Sequence, residues 1–301
     1  MLIGFDIGGT KIEVCVLDEC GNTCFKTRTT TPKKYPLFLE TISALVVEAE
    51  IAVNHDFTHV GIGLPGTISP ATGLMKNSNC TFINGHDLLS DLSNQLNKPV
   101  YIANDANCLA LSEAIDGAGE KGRLVFGAIL GTGCGGGIVF NKILWEGANA
   151  LGGEWGHNPL PNFSPLKDGE PRSCYCGKEN CIEQFISGTG LEITYNALAQ
   201  SSLNASDIIA AKRNGDATAL SAYHLLIDQM ARSFAALINM MDPDIIVIGG
   251  GLSNVEEIYE DIPIQIRHYI FGNELKTEFK KAEYGDSSGI RGAARLAKAT
   301  N

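Results

Sequence analysis

No apolar run in this sequence approaches the roughly 18 residues of a membrane-spanning helix, and lysine and arginine nowhere gather into a basic stretch. The first absence removes any candidate span. The second, with a formal net charge of -11 and a pI near 5.0, argues against a surface that holds a phosphate backbone, so neither membrane nor nucleic acid is an expected partner. Two nucleotide signatures are also missing: the GxxxxGK[ST] of a Walker A loop and a GxGxxG after the first strand. A disulfide framework is lacking too. Six of the nine cysteines (Cys15, Cys20, Cys24, Cys80, Cys108, Cys134) are scattered, and disulfide scaffolds are short, secreted and Cys-dense. The opening MLIGFDIGGT carries an Asp at position 6, which fits neither a secretory h-region nor a transit peptide. The expectation is a cytoplasmic globular protein whose 301 residues make two domains or one large one.

What is abundant is glycine, 34 residues concentrated in short loops. LIGFDIGGTKIEVCVLD (2–18) reads as apolar strand, glycine turn and second strand, and VFGAILGTGCGGGIVFN (125–141) reads the same way, with Gly4 matching Gly127, Ile7 matching Leu130 and Gly8 matching Gly131. The chain reads as a duplication. Each hairpin is followed by alternating helices and strands, with a helix expected near 255–270, so the fold class is α/β, with paired mixed sheets and a crevice between them. Residues 1–118 form the first expected domain and 119–288 the second, with a hinge near 117–122 and a final helix, 289–301, packing back on the first domain.

In DIGGTK, Gly8 and Gly9 let backbone N–H groups approach an anion, Thr10 offers a hydroxyl and Lys11 a charge. Asp6 is placed to hold Mg2+ through water. A plain hairpin turn explains the same glycines. The repeat at Gly131, Thr132 and Gly133, and the Gly249, Gly250, Gly251 run that ends an apolar strand just before an expected helix, shift the reading to three loops around the phosphates of a nucleoside triphosphate. At IANDANC, Asp105 reads either as a helix cap or as the base that takes a proton from a substrate hydroxyl, with Asn104 orienting that substrate.

Three thiols crowd CYCGKENCIE. With His157 upstream, Cys174, Cys176 and Cys181 supply one imidazole and three thiolates in the pattern H-x16-C-x-C-x4-C, the ligand composition of a closed structural Zn2+ site. A metal clip would order a loop that carries Pro159, Pro161, Pro165 and Pro171. Glu154 and Glu183 flank these ligands, either as surface charges or as acceptors for sugar hydroxyls.

Taken together, DIGGTK, GIGLPGTISP, NDANCLALSEA, GTGCGGG, GGEWGHNPLP, CYCGKENCIE, DPDIIVIGGG and GDSSGIRGAA resemble the ROK family of bacterial sugar kinases and related repressors, within the actin-like ATPase superfamily. The resemblance covers essentially the whole chain. It implies the duplicated actin-like (ribonuclease H-like) fold, ATP and Mg2+ at DIGGTK, Asp105 as catalytic base, Asn104, Glu154, His157 and Glu183 as sugar contacts, and zinc on His157, Cys174, Cys176 and Cys181. It also suggests a homodimer. Asn77 and Asn79 are either sugar contacts or turn formers. Within the family, GTISPATGLMKNSN, HNPLP and CYCGK are most similar to fructokinases, so fructose is the expected acceptor, mannose a further one, and N-acetylglucosamine or glucose the alternatives. A sugar-responsive repressor is the rival class, disfavoured because the first strand begins at about Leu2 on an acidic chain, leaving nothing to read DNA.

Overall fold

Alternation in the first strands sorts their side chains onto two faces. A computed structural model describes residues 1–299, the side chains of 298 and 299 excepted. Strand β1 (Leu2–Ile7) pairs antiparallel with β2 (Lys11–Leu17), Asp6 opposite Glu13 and Ile7 opposite Ile12, and β2 pairs in turn with β3 (Thr23–Thr30). Ile3, Phe5, Ile7, Ile12, Val14 and Val16 point one way and form a core with Phe38, Ile42, Leu45 and Val46 of helix α1 (Tyr35–Val53). β4 (Val60–Leu64), β5 (Thr67–Ile68), β6 (Met75–Lys76), α2 (Leu88–Leu96), β7 (Val100–Asn104) and α3 (Asp105–Asp116) follow. The sheet order is β3-β2-β1-β4-β7, with β1, β4 and β7 parallel.

The second stretch repeats this arrangement. It runs through β8 (Leu124–Leu130), β9 (Cys134–Phe140), β10 (Ile143–Leu144), the short α4 (Pro165–Asp168) and α5 (Glu183–Ile186), then α6 (Gly188–Ala199), α7 (Ala205–Arg213), α8 (Ala217–Met241), β11 (Ile245–Gly249), α9 (Ile258–Gln265), β12 (Glu278–Lys281) and α10 (Ser288–Ala299). Its sheet order is β10-β9-β8-β11-β12 with β8, β11 and β12 parallel, so a hairpin-led mixed sheet occurs twice. Helix α8 starts on the Asp216 carboxylate, which accepts from the Ala219 N–H, and stops at Asp242 in the left-handed conformation just before Pro243. Among the described residues no helix is long and apolar enough to cross a membrane.

Two compact units result. One holds Met1–Lys121, Gly137–Gly152 and the chain from Glu283 onward; the other holds Gly122–Gly136 and Gly153–Ala282. Residues 137–152 and 283–288 therefore group with the first unit, not with the second as their sequence position suggested. Packing explains the first case: a Cβ at Gly137 would collide with the Ala106 carbonyl and the Asn107 Cα, and Lys142 donates to the Ile115 carbonyl at 3.0 Å. The segment 137–152 is thus pressed onto α3.

The last helix packs on the face of the first sheet opposite α1, with Ile290 and Ala294 against Leu2, Cys15 and Leu17. A Cβ on Gly4 would stand 2.4 Å from the Ala294 nitrogen, and one on Gly61 1.8 Å from the Ala293 carbonyl oxygen. Those strand glycines let the helix backbone rest directly on the sheet. The final helix is described as far as Ala299, and the last two residues of the expected 289–301 segment lie outside the described residues.

Candidate active site and metal centre

Local backbone chemistry builds the first cluster, which lies within the first unit. β7 ends at Asn104, whose side-chain oxygen accepts from the Ala106 N–H at 2.8 Å and caps α3. Asn104 is the cap, and Asp105 is the first helical residue, its own carboxylate also accepting from Ala106 N–H at 2.8 Å. Asp105 has solvent-accessible atoms but stands amid dense protein, and desolvation raises its carboxyl above the ordinary range, opposed by those backbone N–H groups. Asp6 responds to the same neighbourhood: burial first, then the charges of Asp105 and Glu13, push it up to about 6. A carboxylate strained in this way is suited to a cation, because a cation relieves both the desolvation and the like-charge terms. Asp6 therefore fits the Mg2+ expected of it.

The turn after β1 is open. Gly8 N–H donates to the Lys11 carbonyl at 2.9 Å, yet neither Gly8 nor Gly9 has the positive φ of a glycine-requiring turn. A Cβ on Gly9 would meet nothing within 4 Å. The fold does not demand glycine there, and the open space leaves the backbone N–H groups accessible to an anion. Thr31 donates to the Gly8 carbonyl at 2.7 Å and Lys33 to the Gly9 carbonyl, bracing the turn. Thr10 and Lys11 are exposed, and Lys11 pairs with Glu13 at 3.1 Å. Lys33 is a second cation at this loop that sequence reading missed, since it lies beyond β3 with only an ordinary Thr-Pro-Lys-Lys context.

In the second unit the glycines divide by purpose. A Cβ on Gly131 would meet its nearest atom at 3.9 Å and one on Gly251 would meet none, so both are open like Gly9. Gly133 lies against Glu183 instead: a Cβ there would sit 2.6 Å from the Glu183 Oε2, which accepts the Cys134 N–H at 3.0 Å. Gly250 has φ +80 and would clash with Leu130, a structural role. Thr132 lies in the turn beside them, and Gly249 closes β11 opposite Ile129. The helix expected near 255–270 is present as α9, but it does not follow the glycines directly. Gly251–Asn254 is a single 3-10 turn and α9 begins only at Ile258, because the Ser253 N–H and hydroxyl both return to the Gly250 carbonyl. The loop offers backbone N–H groups without a helix dipole behind them.

His157, Cys174, Cys176 and Cys181 converge, their ligand atoms all within 4.8 Å of one another. Cys176 and Cys181 sulfurs lie 3.5 Å apart, and Cys174 Sγ is 3.6 Å from His157 Nδ1. A tetrahedral zinc with Zn–S near 2.3 Å and Zn–N near 2.0 Å has edges of about 3.5–3.8 Å, so the quartet fits a structural zinc ion through Nδ1. Burial and then the neighbouring thiols push Cys181 up to about 12; metal uptake would release such protons. Fixed supports surround the quartet. Arg172 donates to the Gln184 and Gly190 carbonyls and lies over the Phe185 ring, while buried Arg232 holds Asp168, Asp228 and the Pro161 carbonyl. Trp155, between Glu154 and His157, is buried against Phe234 and Phe126.

With Nδ1 turned to the thiols, His157 Nε2 lies 2.9 Å from the Tyr175 hydroxyl. That phenol, though largely exposed, is pushed up to about 12 by partial desolvation and then by Glu183, Cys174 and Glu154. Glu154 and Glu183 thus both lie near enough to the His157–Tyr175 pair of the second unit to act on it. Asn79 is exposed, its carbonyl accepting from the Cys80 thiol. Asn77 is also exposed, with φ 59, the signature of a turn former.

Two sheets of the same strand order, each opening on a glycine-turn hairpin, define a duplicated actin-like ATPase fold. The chain belongs to the ROK family, which it matches over residues 2–300. It is 39% identical over 302 residues to the N-acetyl-D-glucosamine kinase of Histophilus somni, covering 98% of each chain. Among solved structures it is similar to a ROK hexokinase from Thermus thermophilus (27% identity, TM-score 0.86, 98% of this chain and 96% of that one). It is also similar to a ROK family glucokinase from Streptomyces griseus in complex with glucose and AMPPNP (29% identity, TM-score 0.76, 99% of each).

Proposed function

We propose that this protein is an ATP-dependent sugar kinase that phosphorylates the 6-hydroxyl of a hexose, with N-acetyl-D-glucosamine as the favoured acceptor. The observation that carries the chemistry is Asp105, a carboxylate of raised proton affinity at the first position of α3. It takes the hydroxyl proton as the oxygen attacks the terminal phosphorus of ATP, the bond from that phosphorus to the bridging oxygen breaks and ADP leaves, and Asn104 holds the same substrate. Glu154, Glu183 and His157 Nε2 bind the other sugar hydroxyls, while the open glycine turns with Thr10 and Lys11 receive the phosphates. Catalysis here is positioning and charge neutralisation. Mg2+ near Asp6 would neutralise phosphate charge, and zinc on the Cys3His quartet would order the loop without entering the reaction.

The choice of N-acetyl-D-glucosamine over the fructose expected from the loop motifs rests on relatives of that name at 39–40% identity along the whole chain. The loops GTISPATGLMKNSN and CYCGK keep fructose as the second reading. The test is ADP release with Mg-ATP against N-acetyl-D-glucosamine, fructose, mannose and glucose, with Asp105→Asn alongside. A lead in kcat/KM for N-acetyl-D-glucosamine, lost by a factor of about 10²–10⁴ in the variant, supports acceptor and base. A lead for fructose restores the loop-based reading, and wild-type turnover by the variant removes Asp105 as base.

A further inference from the structure

A histidine that gives Nδ1 to a metal has one nitrogen left. In this protein His157 Nδ1 faces the Cys174 sulfur at 3.6 Å, and the remaining nitrogen, Nε2, is already engaged by the Tyr175 hydroxyl at 2.9 Å. The two rings stand perpendicular, with centroids 5.1 Å apart, an edge-to-face contact that fixes the approach. Tyr175 is nevertheless 82% exposed. Burial of an aromatic ring is therefore not what places it here, and its side chain can turn away about two torsions without moving the backbone. That backbone is itself held, because Tyr175 lies between two members of the metal quartet and the Cys174 N–H donates to the Lys178 carbonyl at 2.8 Å.

We infer that Tyr175 is a specificity-determining residue whose hydroxyl occupies, in the sugar-free protein, the hydrogen-bonding position on His157 Nε2 that a sugar hydroxyl takes. This rests on the proposed sugar-kinase reading and adds a residue and an order of events to it. The phenol stands on His157, three residues after Glu154, in the loop whose last quartet member, Cys181, precedes Glu183 by two residues, so it shares the loop assigned to the sugar. Entry of a sugar with a hydroxyl at that place exchanges one hydrogen bond on Nε2 for another, and Tyr175 swings outward. A sugar without that hydroxyl leaves Tyr175 in place and gains nothing from His157. Tyr175 thus keeps the imidazole tautomer and ring orientation set before substrate arrives, and its displacement weakens binding of every accepted sugar by the worth of one net hydrogen bond.

Tyr175→Phe, measured beside wild type with N-acetyl-D-glucosamine and with fructose, is the test. Sugar affinity is read by calorimetry without nucleotide, KM and kcat by ADP release, and metal by elemental analysis. The expected result is a dissociation constant and KM lower by about 2–12-fold for the accepted sugar, with kcat and metal content unchanged. In wild type, sugar addition should also give a tyrosine difference spectrum that the Phe variant lacks. An unchanged or raised dissociation constant in Tyr175→Phe overturns the inference, a rise meaning that the phenol contacts the sugar itself. If wild type phosphorylates no sugar, the sugar-kinase reading falls and takes this inference with it; if wild type is active and only the Phe result fails, the reading stands and the inference alone is lost.

Discussion

Glu113 gives the sharpest test of how the first unit is held together. Its side chain is fully buried on α3, and one oxygen accepts the Ala118 N–H at 2.9 Å and the Glu283 N–H at 3.0 Å. The other accepts the Tyr284 N–H at 3.2 Å and the Ser288 hydroxyl at 2.7 Å. Ala118 precedes the point where the chain first leaves the first unit, after Lys121, and Glu283 is where it returns for the last time. One carboxylate therefore ties the first departure and the last return to the helix that begins at Asp105. In Glu113→Gln the shape is kept, but one of the two oxygens becomes an NH2 group that faces two donors. Orphaning two partly buried donors, at about 1 kcal/mol each, the lower end of the range for an unsatisfied group, predicts a loss of about 2 kcal/mol in stability, read from the urea midpoint at constant m-value. Hydrogen exchange supplies the local readout: the amides of Ala118, Glu283 and Tyr284 should lose protection before those of β1 and β2. A change under about 0.5 kcal/mol, the scale of an ordinary surface substitution, with protection unaltered would refute the clamp.

Two further outcomes follow from the charges. The folded Asp6 carboxyl lies at about 6 against an ordinary 3.8, so it adds no penalty below about pH 4, where it is protonated folded or unfolded, and stability is lost as pH rises through 6. Asp6→Asn should therefore raise stability by about 2–3 kcal/mol at pH 8 and by much less at pH 4, read by urea denaturation without magnesium or nucleotide; an equal gain at both pH values would contradict the assignment. Purified protein should carry about one zinc per chain and Cys181→Ser little or none by elemental analysis, and a metal-free wild type would dispose of the zinc site.

The hairpin with its glycine turn, the repetition of that hairpin, the Asn104-Asp105 junction and the metal quartet were all legible in the linear sequence. Each rests on local chemistry: strand alternation, a capping side chain, and ligand types whose convergence three thiols and an imidazole all but require. Glu113 was not legible. A glutamate within a helix reads as a solvated charge, but α3 is buried at every position from Ala106 to Ala114, and its environment comes from chain segments about 170 residues away. The same holds for the approach of Glu183 to Gly133 and the Cys134 N–H, for Lys33 at the first glycine turn, and for Tyr175, whose partner on His157 lies 18 positions upstream. The acceptor sugar turns on a few hydroxyl contacts worth ~1–3 kcal/mol each when one partner is lost, and the loop motifs and the relatives point to different sugars. The sequence alone determined the strand pattern, the duplication and the chemical identity of the reactive groups, since these depend on residue type and near neighbours. Only the tertiary structure decided which carboxylates are desolvated, which glycines stand open, and which side chain occupies His157, since those depend on atoms that folding brings within a few ångströms.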